Sequence, residues 1–183
     1  MALVSLAAFP AKAEIRHRFL AVGESRAELH YVDQSDPAKD WNLKLPVKHR
    51  DLQLVGGNRV ALTTPDGYRE YRLADRSVAK EVKGFPSTMG MRRFPDERTL
   101  LACNVDGVTI FELSADDRPL RKATFKAPGT RVVRLAPQGT FLFGSQNRLF
   151  EGDFEGRTIR TFELPAGCWA YQALRKPSGH LLV

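Results

Sequence analysis

The chain has 183 residues, of which 43% are hydrophobic, and its 28 lysines and arginines outnumber its 21 aspartates and glutamates to give a net charge of +7. This length and apolar content allow one domain with a sizeable core and exclude a disordered chain. The sequence has no dense lysine or arginine run that would mark a specific nucleic-acid site, and no stretch approaches the roughly 20 apolar residues of a membrane span. We therefore expect a folded domain with a basic surface that favours anionic ligands.

The first thirteen residues, MALVSLAAFPAKA, are mostly small and apolar, and Ala11-Lys12-Ala13 has the small-x-small form of a signal-peptidase site. They predict a signal peptide, or the remnant of one, over residues 1–13, with a mature chain that begins at Glu14. The protein would then be exported to the periplasm or secreted. Because no basic residue precedes the apolar run, the alternative is an N-terminal strand of an intracellular protein.

A short aliphatic run, introduced by a polar or basic residue, recurs along the rest of the chain. The copies are RFLAV from Arg18, RVALT from Arg59, RTLLA from Arg98, TFLFG from Thr140 and HLLV from His180. Their starts lie 41, 39, 42 and 40 residues apart. Turn sequences led by proline or glycine precede four of them, as expected for strands joined in hairpins. A repeat of this length predicts one supersecondary unit per copy.

Each of the first four runs is followed by a turn and two more strand-like segments, such as Tyr68 to Leu73 and Ala79 to Val82 in the second copy. With an inner strand ahead of each run, every unit of about 40 residues has four short antiparallel strands, which is the blade of a β-propeller. We predict an all-β propeller over residues 14–183, with three full blades and a partial blade at each end. This ring would be incomplete, and its open strand edges would favour aggregation. The alternative is a four-bladed ring, closed by the inner strand near residue 172.

These repeats resemble those of WD40-like and quinoprotein-like propellers over nearly all of residues 14–183. The tryptophan-aspartate dipeptide of the WD40 group is absent, and Tyr71-Arg72 and Phe111-Glu112 stand near its place. The segment from Asp36 to Trp41 is similar to the turn and tryptophan of quinoprotein repeats, but it occurs once and lacks glycine. The resemblance therefore implies the fold and supports neither a quinone nor another cofactor.

The inner strands of a propeller line its central channel. Aligned on the turns, they are Asp51 to Leu54, Gly90 to Arg93, Val132 to Leu135 and Gln172 to Arg175. The second position of the four aligned strands is always apolar, which predicts that these side chains face the core. The third and fourth positions supply the candidate ligand-binding residues, which are Gln53, Arg92, Arg93, Arg134 and Arg175. Arginines gathered near one axis would bind carboxylates or phosphates, since guanidinium groups hold them bidentately. The alternative is that they pair with acids such as Asp51.

Trp169 and Tyr171 allow two interpretations, a stacking wall beside Arg175 or buried contacts between blades. Cys103 and Cys168 are expected to be small buried residues. The four histidines lack metal-ligand spacing and are expected on the surface or in loops, and neither a nucleophile elbow nor a phosphate loop occurs. The sequence thus predicts no catalytic or metal-binding residue.

The function predicted from these features is an exported propeller that binds a protein, a glycan or a small anionic ligand at its channel mouth. A propeller enzyme of lactonase-like hydrolase or lyase type, acting on an acidic sugar, is one alternative. An intracellular WD40-like scaffold is the other.

Overall fold

The computed structural model describes residues 16–136, 139–171, 173–176, 178 and 180–182, so the predicted signal peptide lies outside the described residues. The described chain forms antiparallel sheets whose strands follow one another in sequence order. Blade 1 consists of β1 (Arg18–Gly23), β2 (Glu28–Asp33) and β3 (Trp41–Lys44). Blade 2 consists of β4 (Leu52–Leu54), β5 (Arg59–Thr64), β6 (Gly67–Arg72) and β7 (Val78–Lys83).

Blades 3 and 4 repeat the four-stranded arrangement. Blade 3 consists of β8 (Thr88–Arg93), β9 (Thr99–Cys103), β10 (Val108–Leu113) and β11 (Pro119–Phe125). Blade 4 consists of β12 (Val133–Leu135), β13 (Phe141–Ser145), β14 (Arg148–Gly152) and β15 (Thr158–Glu163). The C-terminal hairpin consists of β16 (Leu174–Arg175) and β17 (Leu181–Leu182). Within the described residues β16 pairs with β17, and β1 pairs only with β2.

Four clusters of buried apolar side chains pack each blade against the next. Their central residues, in order from blade 1 to the hairpin, are Leu29 and Leu62, Tyr68 and Leu101, Ile110 and Phe141, and Leu142 and Ala173. Consecutive antiparallel sheets stacked in this way confirm the predicted all-β propeller with four-stranded blades. The described residues contain no helix long and apolar enough to span a membrane.

The recurring aliphatic run is the second strand of each four-stranded blade. All five residues of β9 and all five of β13 are buried, as are five of the six in β5. Because a neighbouring blade covers each face of this strand, the sequence need not alternate there between apolar and polar residues. This burial explains why the run was the clearest periodic signal in the sequence.

A buried glutamate occupies the same place in the third strand of blades 2, 3 and 4. These residues are Glu70, Glu112 and Glu151, which lie in register with Ala61, Leu100 and Leu142 of the second strands. Each glutamate bonds a residue at the start of the second strand, namely Arg59 at 2.7 Å, Arg98, and Thr140 at 2.7 Å. A buried carboxylate needs partners to offset its desolvation. Part of the positive charge of this chain therefore neutralises glutamates inside the blades.

Three residues differ from their sequence-based expectations. His49 lies in the loop before β4 but is fully buried, because it packs beside the Tyr71 ring. Cys103 is buried as expected, whereas Cys168 is exposed in the loop after β15. Trp169, in the same loop, has 62% of its surface exposed and is not a buried contact between blades.

Candidate functional site

The inner strands of blades 2, 3 and 4 lie side by side, with β8 in contact with both β4 and β12. The apolar residues at the second position of these strands face the core, as expected. Met91 and Val133 are fully buried, and Leu52 is partly buried against blade 1. Since side chains alternate along a strand, the residues on either side of this position are directed away from that core.

Asp51 and Gln53 bind the free edge of β8. The Met91 amide donates to Asp51 Oδ2 at 3.1 Å, and the Arg93 amide donates to Gln53 Oε1 at 2.8 Å. Gln53 Nε2 donates back to the Arg93 carbonyl at 3.2 Å. The inner edge of a blade would otherwise present unpaired backbone groups, so these side chains join blade 2 to blade 3. Gln53, a predicted ligand-binding residue, lies in this contact.

Asp51, Arg92 and Arg134 form an axial cluster that joins three blades. Arg134 Nη1 donates to Asp51 Oδ2 at 3.2 Å and to the Val133 carbonyl at 2.8 Å, and the side chains of Arg134 and Asp51 are both more than nine-tenths buried. The side chain of the half-buried Arg92 makes no hydrogen bond or ion pair with any described residue. Burial, followed by repulsion from Arg134, lowers the pKa of the Arg92 guanidinium, and the attraction of Asp51 opposes that shift. Asp51 thus pairs with Arg134, whereas it attracts Arg92 without forming an ion pair with it.

Arg93 lies on the opposite side of β8, in the interface with blade 2. Its Nη2 donates to Glu70 Oε1 at 2.7 Å and to the Tyr68 hydroxyl at 2.9 Å. The Tyr68 hydroxyl also donates to Asp117, which pairs with Lys80. Burial, with the hydrogen bond to Asp117 as the second cause, raises the pKa of Tyr68 and keeps the phenol protonated. This predicted ligand-binding residue belongs to a hydrogen-bonded network inside the blades.

The fifth predicted residue, Arg175, lies in β16, and its side chain is outside the described residues, as is Gln172. The structure thus brings Arg92 and Arg134 together and directs Arg93 elsewhere. Sequence reasoning named Asp51 only as a possible partner of the arginines. It did not anticipate that one carboxylate would serve blades 2, 3 and 4 together.

Two further arginines lie where the inner strands of blades 2 and 4 begin. Arg50 Nη1 and Arg131 Nη1 contact the carboxylate of Glu24, from the turn between β1 and β2, at 3.1 and 3.4 Å. Sequence reasoning missed both, although Arg50 and Arg131 stand at equivalent positions, one residue ahead of the aligned inner strands. Among the described residues, no group of three or more histidine, cysteine, aspartate or glutamate side chains is arranged to hold a metal ion.

Comparison with known proteins adds support for the fold. No family model matches the sequence, and no curated protein matches it either. Neither the WD40 nor the quinoprotein type of repeat is therefore established. Among solved structures, a protein of unknown function from Bacteroides caccae is similar with a TM-score of 0.75 and 14% identity, over 91% of this chain and 64% of that one.

Hydrazine synthase from Kuenenia stuttgartiensis is similar with a TM-score of 0.67 and 15% identity, over 88% of this chain and 50% of that one. The chain thus spans 64% and half of the lengths of these two structures. At such low identity the likeness extends to the fold alone.

Proposed function

We propose that this chain provides blades of an exported β-propeller that acts as a binding module and holds an anionic group at the axial cluster. The observation that carries the proposal is the charge imbalance there, since among the described residues two guanidinium groups, those of Arg92 and Arg134, interact with one carboxylate, that of Asp51. The Arg92 side chain makes no hydrogen bond or ion pair with the described residues. A carboxylate or phosphate between the guanidinium groups would relieve their repulsion and bind both.

The two arginines have different roles in this proposal. Arg134 is held by Asp51 and the Val133 carbonyl, so its position is set before a ligand arrives. Arg92 supplies a positive charge that forms no ion pair with the described residues. A site whose charged groups are already placed loses less free energy on binding, because less ordering is needed.

The test measures binding of citrate and inorganic phosphate by calorimetry to the protein and to Arg92→Gln. We expect the variant to bind at least about tenfold more weakly, because a charge-assisted hydrogen bond to the ligand is lost. Arg92→Lys should recover part of the affinity, since it restores the charge without the bidentate geometry. Arg118→Gln is the matched control, because Arg118 is exposed in the turn between β10 and β11. Equal affinity in Arg92→Gln and the protein would contradict the proposal.

Export and the absence of turnover are separate parts of the proposal. The mature protein should begin at Glu14, which N-terminal sequencing of the secreted product checks. Incubation with lactones and uronates should give no product, whereas measurable hydrolysis or elimination would favour the lactonase-like or lyase alternative.

A further inference from the structure

Two adjoining cavities form a loop-face groove at the end of the blades where the inner strands begin. The first has a volume of about 250 Å³ and is lined at its outer end by Arg131, Gln146, Trp169 and Tyr171. The second, of about 440 Å³, is lined by Lys48, Arg50 and a set of hydroxyl side chains, Thr63, Thr64, Ser87 and Thr88. Met89 and Asn104 line both cavities, so the two adjoin. Neither cavity is lined by Arg92 or Arg134.

Trp169 and Tyr171 form an aromatic wall of the groove, and the buried Ala170 between them fixes its position. Ala170 is buried, and its amide donates to the Gln146 carbonyl at 2.8 Å. A Cβ at Gly144 would overlap the Ala170 carbonyl oxygen, so only glycine in β13 admits this loop so closely. With Ala170 fixed, Trp169 and Tyr171 are 62% and 51% exposed, and their ring centroids lie 6.4 Å apart.

Asn104 fixes the backbone that carries Arg131, the basic residue at this end of the groove. The Asn104 side chain accepts a hydrogen bond from the Thr130 amide at 2.8 Å and donates to the Thr130 carbonyl at 3.1 Å. Thr130 is followed by Arg131, whose guanidinium carbon lies 5.3 Å from the centre of the Tyr171 ring. One end of the groove therefore presents two aromatic faces and a stacked guanidinium group, all on anchored backbone.

We infer that the loop-face groove binds an acidic oligosaccharide with one carboxylate on each sugar ring. Exposed aromatic faces are electron-rich and attract the C–H face of a pyranose, whose size suits the first cavity. Arg131 would bind the carboxylate of that ring, and Gln146 its hydroxyl groups. Lys48, Arg50 and the exposed Ser87 of the second cavity would receive the following ring, since the threonine hydroxyls there are buried and bond the backbone. An acidic peptide could bind the basic groups of the groove. Its acidic residues, however, have no flat C–H face that could pack on the Trp169 and Tyr171 rings.

The carboxylate of Glu24 contacts both Arg50 and Arg131, so it occupies the position that a ligand carboxylate would take. A bound uronate would take over these contacts. Removing the charge by Glu24→Gln should therefore strengthen binding of the acidic oligosaccharide several-fold, because a competing carboxylate is lost. Binding of a neutral sugar should not change.

The experiment titrates a short oligogalacturonate, a maltooligosaccharide of equal length and an oligoglutamate into the full chain by calorimetry. We expect the oligogalacturonate to bind more tightly than either comparison ligand. Trp169→Ala should weaken its binding at least about tenfold, since an exposed aromatic anchor is lost without disturbing the core. Arg131→Gln should weaken it for the acidic ligand only. Phe19→Ala, in β1 of blade 1, is the matched control and should have no effect, because Phe19 is also an exposed aromatic side chain and lines neither cavity.

Oligoglutamate binding as tight as that of oligogalacturonate would overturn the ligand class, and unchanged affinity in Trp169→Ala would overturn the site. Arg118→Gln should leave oligogalacturonate affinity unchanged, because Arg118 is exposed in the turn between β10 and β11 and lines neither cavity. The groove and the axial cluster share no residue, so Trp169→Ala tests the groove alone. Circular dichroism of each variant checks that the blades are still folded.

Discussion

His49 is the buried ionisable residue with the clearest consequence for stability. It is fully buried, and neither ring nitrogen has a hydrogen-bond partner with good geometry among the described residues. Burial lowers the pKa of His49 from 6.5 to about 4. The Val47 backbone opposes this shift, and the nearby charge of Arg69 adds to it. The folded chain therefore keeps the imidazole neutral over a pH range in which the unfolded chain takes up a proton.

This difference predicts an acid-sensitive fold. Below pH 6.5 protonation favours the unfolded chain, so the free energy of unfolding should fall by about 3 kcal/mol as the pH drops to 4. At pH values above 6.5 the contribution of His49 should be constant. Denaturant unfolding at several pH values, compared with His49→Phe, measures the effect. The variant should lose this part of the pH dependence, whereas equal pH profiles would show that His49 is not its source. His17→Ala is the control, because His17 is exposed.

At the scale of the elements, the closeness of neighbouring inner strands depends on Gly90 in β8. A Cβ at this position would lie 2.7 Å from the Val132 Cα and 2.9 Å from the Val133 amide nitrogen. Both atoms belong to the backbone where β12 begins, so a rotamer change cannot make room for a side chain at residue 90. The contact between blades 3 and 4, and with it the position of Arg92 relative to Arg134, requires glycine here.

Gly90→Ala should therefore lower the free energy of unfolding by about 1–3 kcal/mol, because the strands must separate. It should also weaken binding of citrate or phosphate to the axial cluster, since Arg92 and Arg134 lie on the two displaced strands. Gly23→Ala is a suitable control. A Cβ at Gly23 would make only ordinary contacts, the nearest at 3.8 Å, so its stability should change little. Equal stability of the two variants in a urea titration would contradict this account of the contact.

At the scale of the whole molecule, the outer face of blade 1 and the edge of blade 2 leave apolar side chains in solvent. Phe19 and Leu54 are 44% and 62% exposed, and they line one cavity of about 530 Å³ with Leu20, Leu52 and Leu73. In the described structure β1 is an edge strand of its sheet. An apolar surface beside an open strand edge favours association between chains.

We expect the 183-residue chain to self-associate with rising concentration, as light scattering coupled to size-exclusion chromatography would show. Leu54→Lys should shift the chain towards the monomer, because a charge interrupts the exposed apolar surface. Leu120→Lys tests whether any added charge has this effect, since Leu120 is also exposed but lies on β11 at the outer edge of blade 3. Equal mass distributions for Leu54→Lys and the unchanged chain would exclude this surface as the cause.

The blade was predictable because its determinants are local. A run such as Val60 to Thr64, the turn after it and the alternating strand that follows all lie within 40 residues, so their period survives in the sequence. The apolar second position of the inner strands was predictable for the same reason, since side chains alternate along a strand. Two of the three buried glutamates had a sequence signal too, because Arg59 precedes Glu70 and Thr140 precedes Glu151 by eleven residues, whereas Arg98 precedes Glu112 by 14.

The partners of the inner-strand arginines depended on how the blades pack. Arg92 and Arg93 are adjacent in sequence, yet Arg93 is neutralised by Glu70 of blade 2, and Arg92 meets no carboxylate at hydrogen-bonding distance among the described residues. Arg134 finds Asp51 across 83 residues of chain. No local pattern encodes the angle between blades that allows these contacts. The outward direction of Trp169 and Tyr171 likewise follows from the packing of Ala170 on Gly144. Local periodicity therefore determined the blade, and packing between blades decided which charges and rings are left for a ligand.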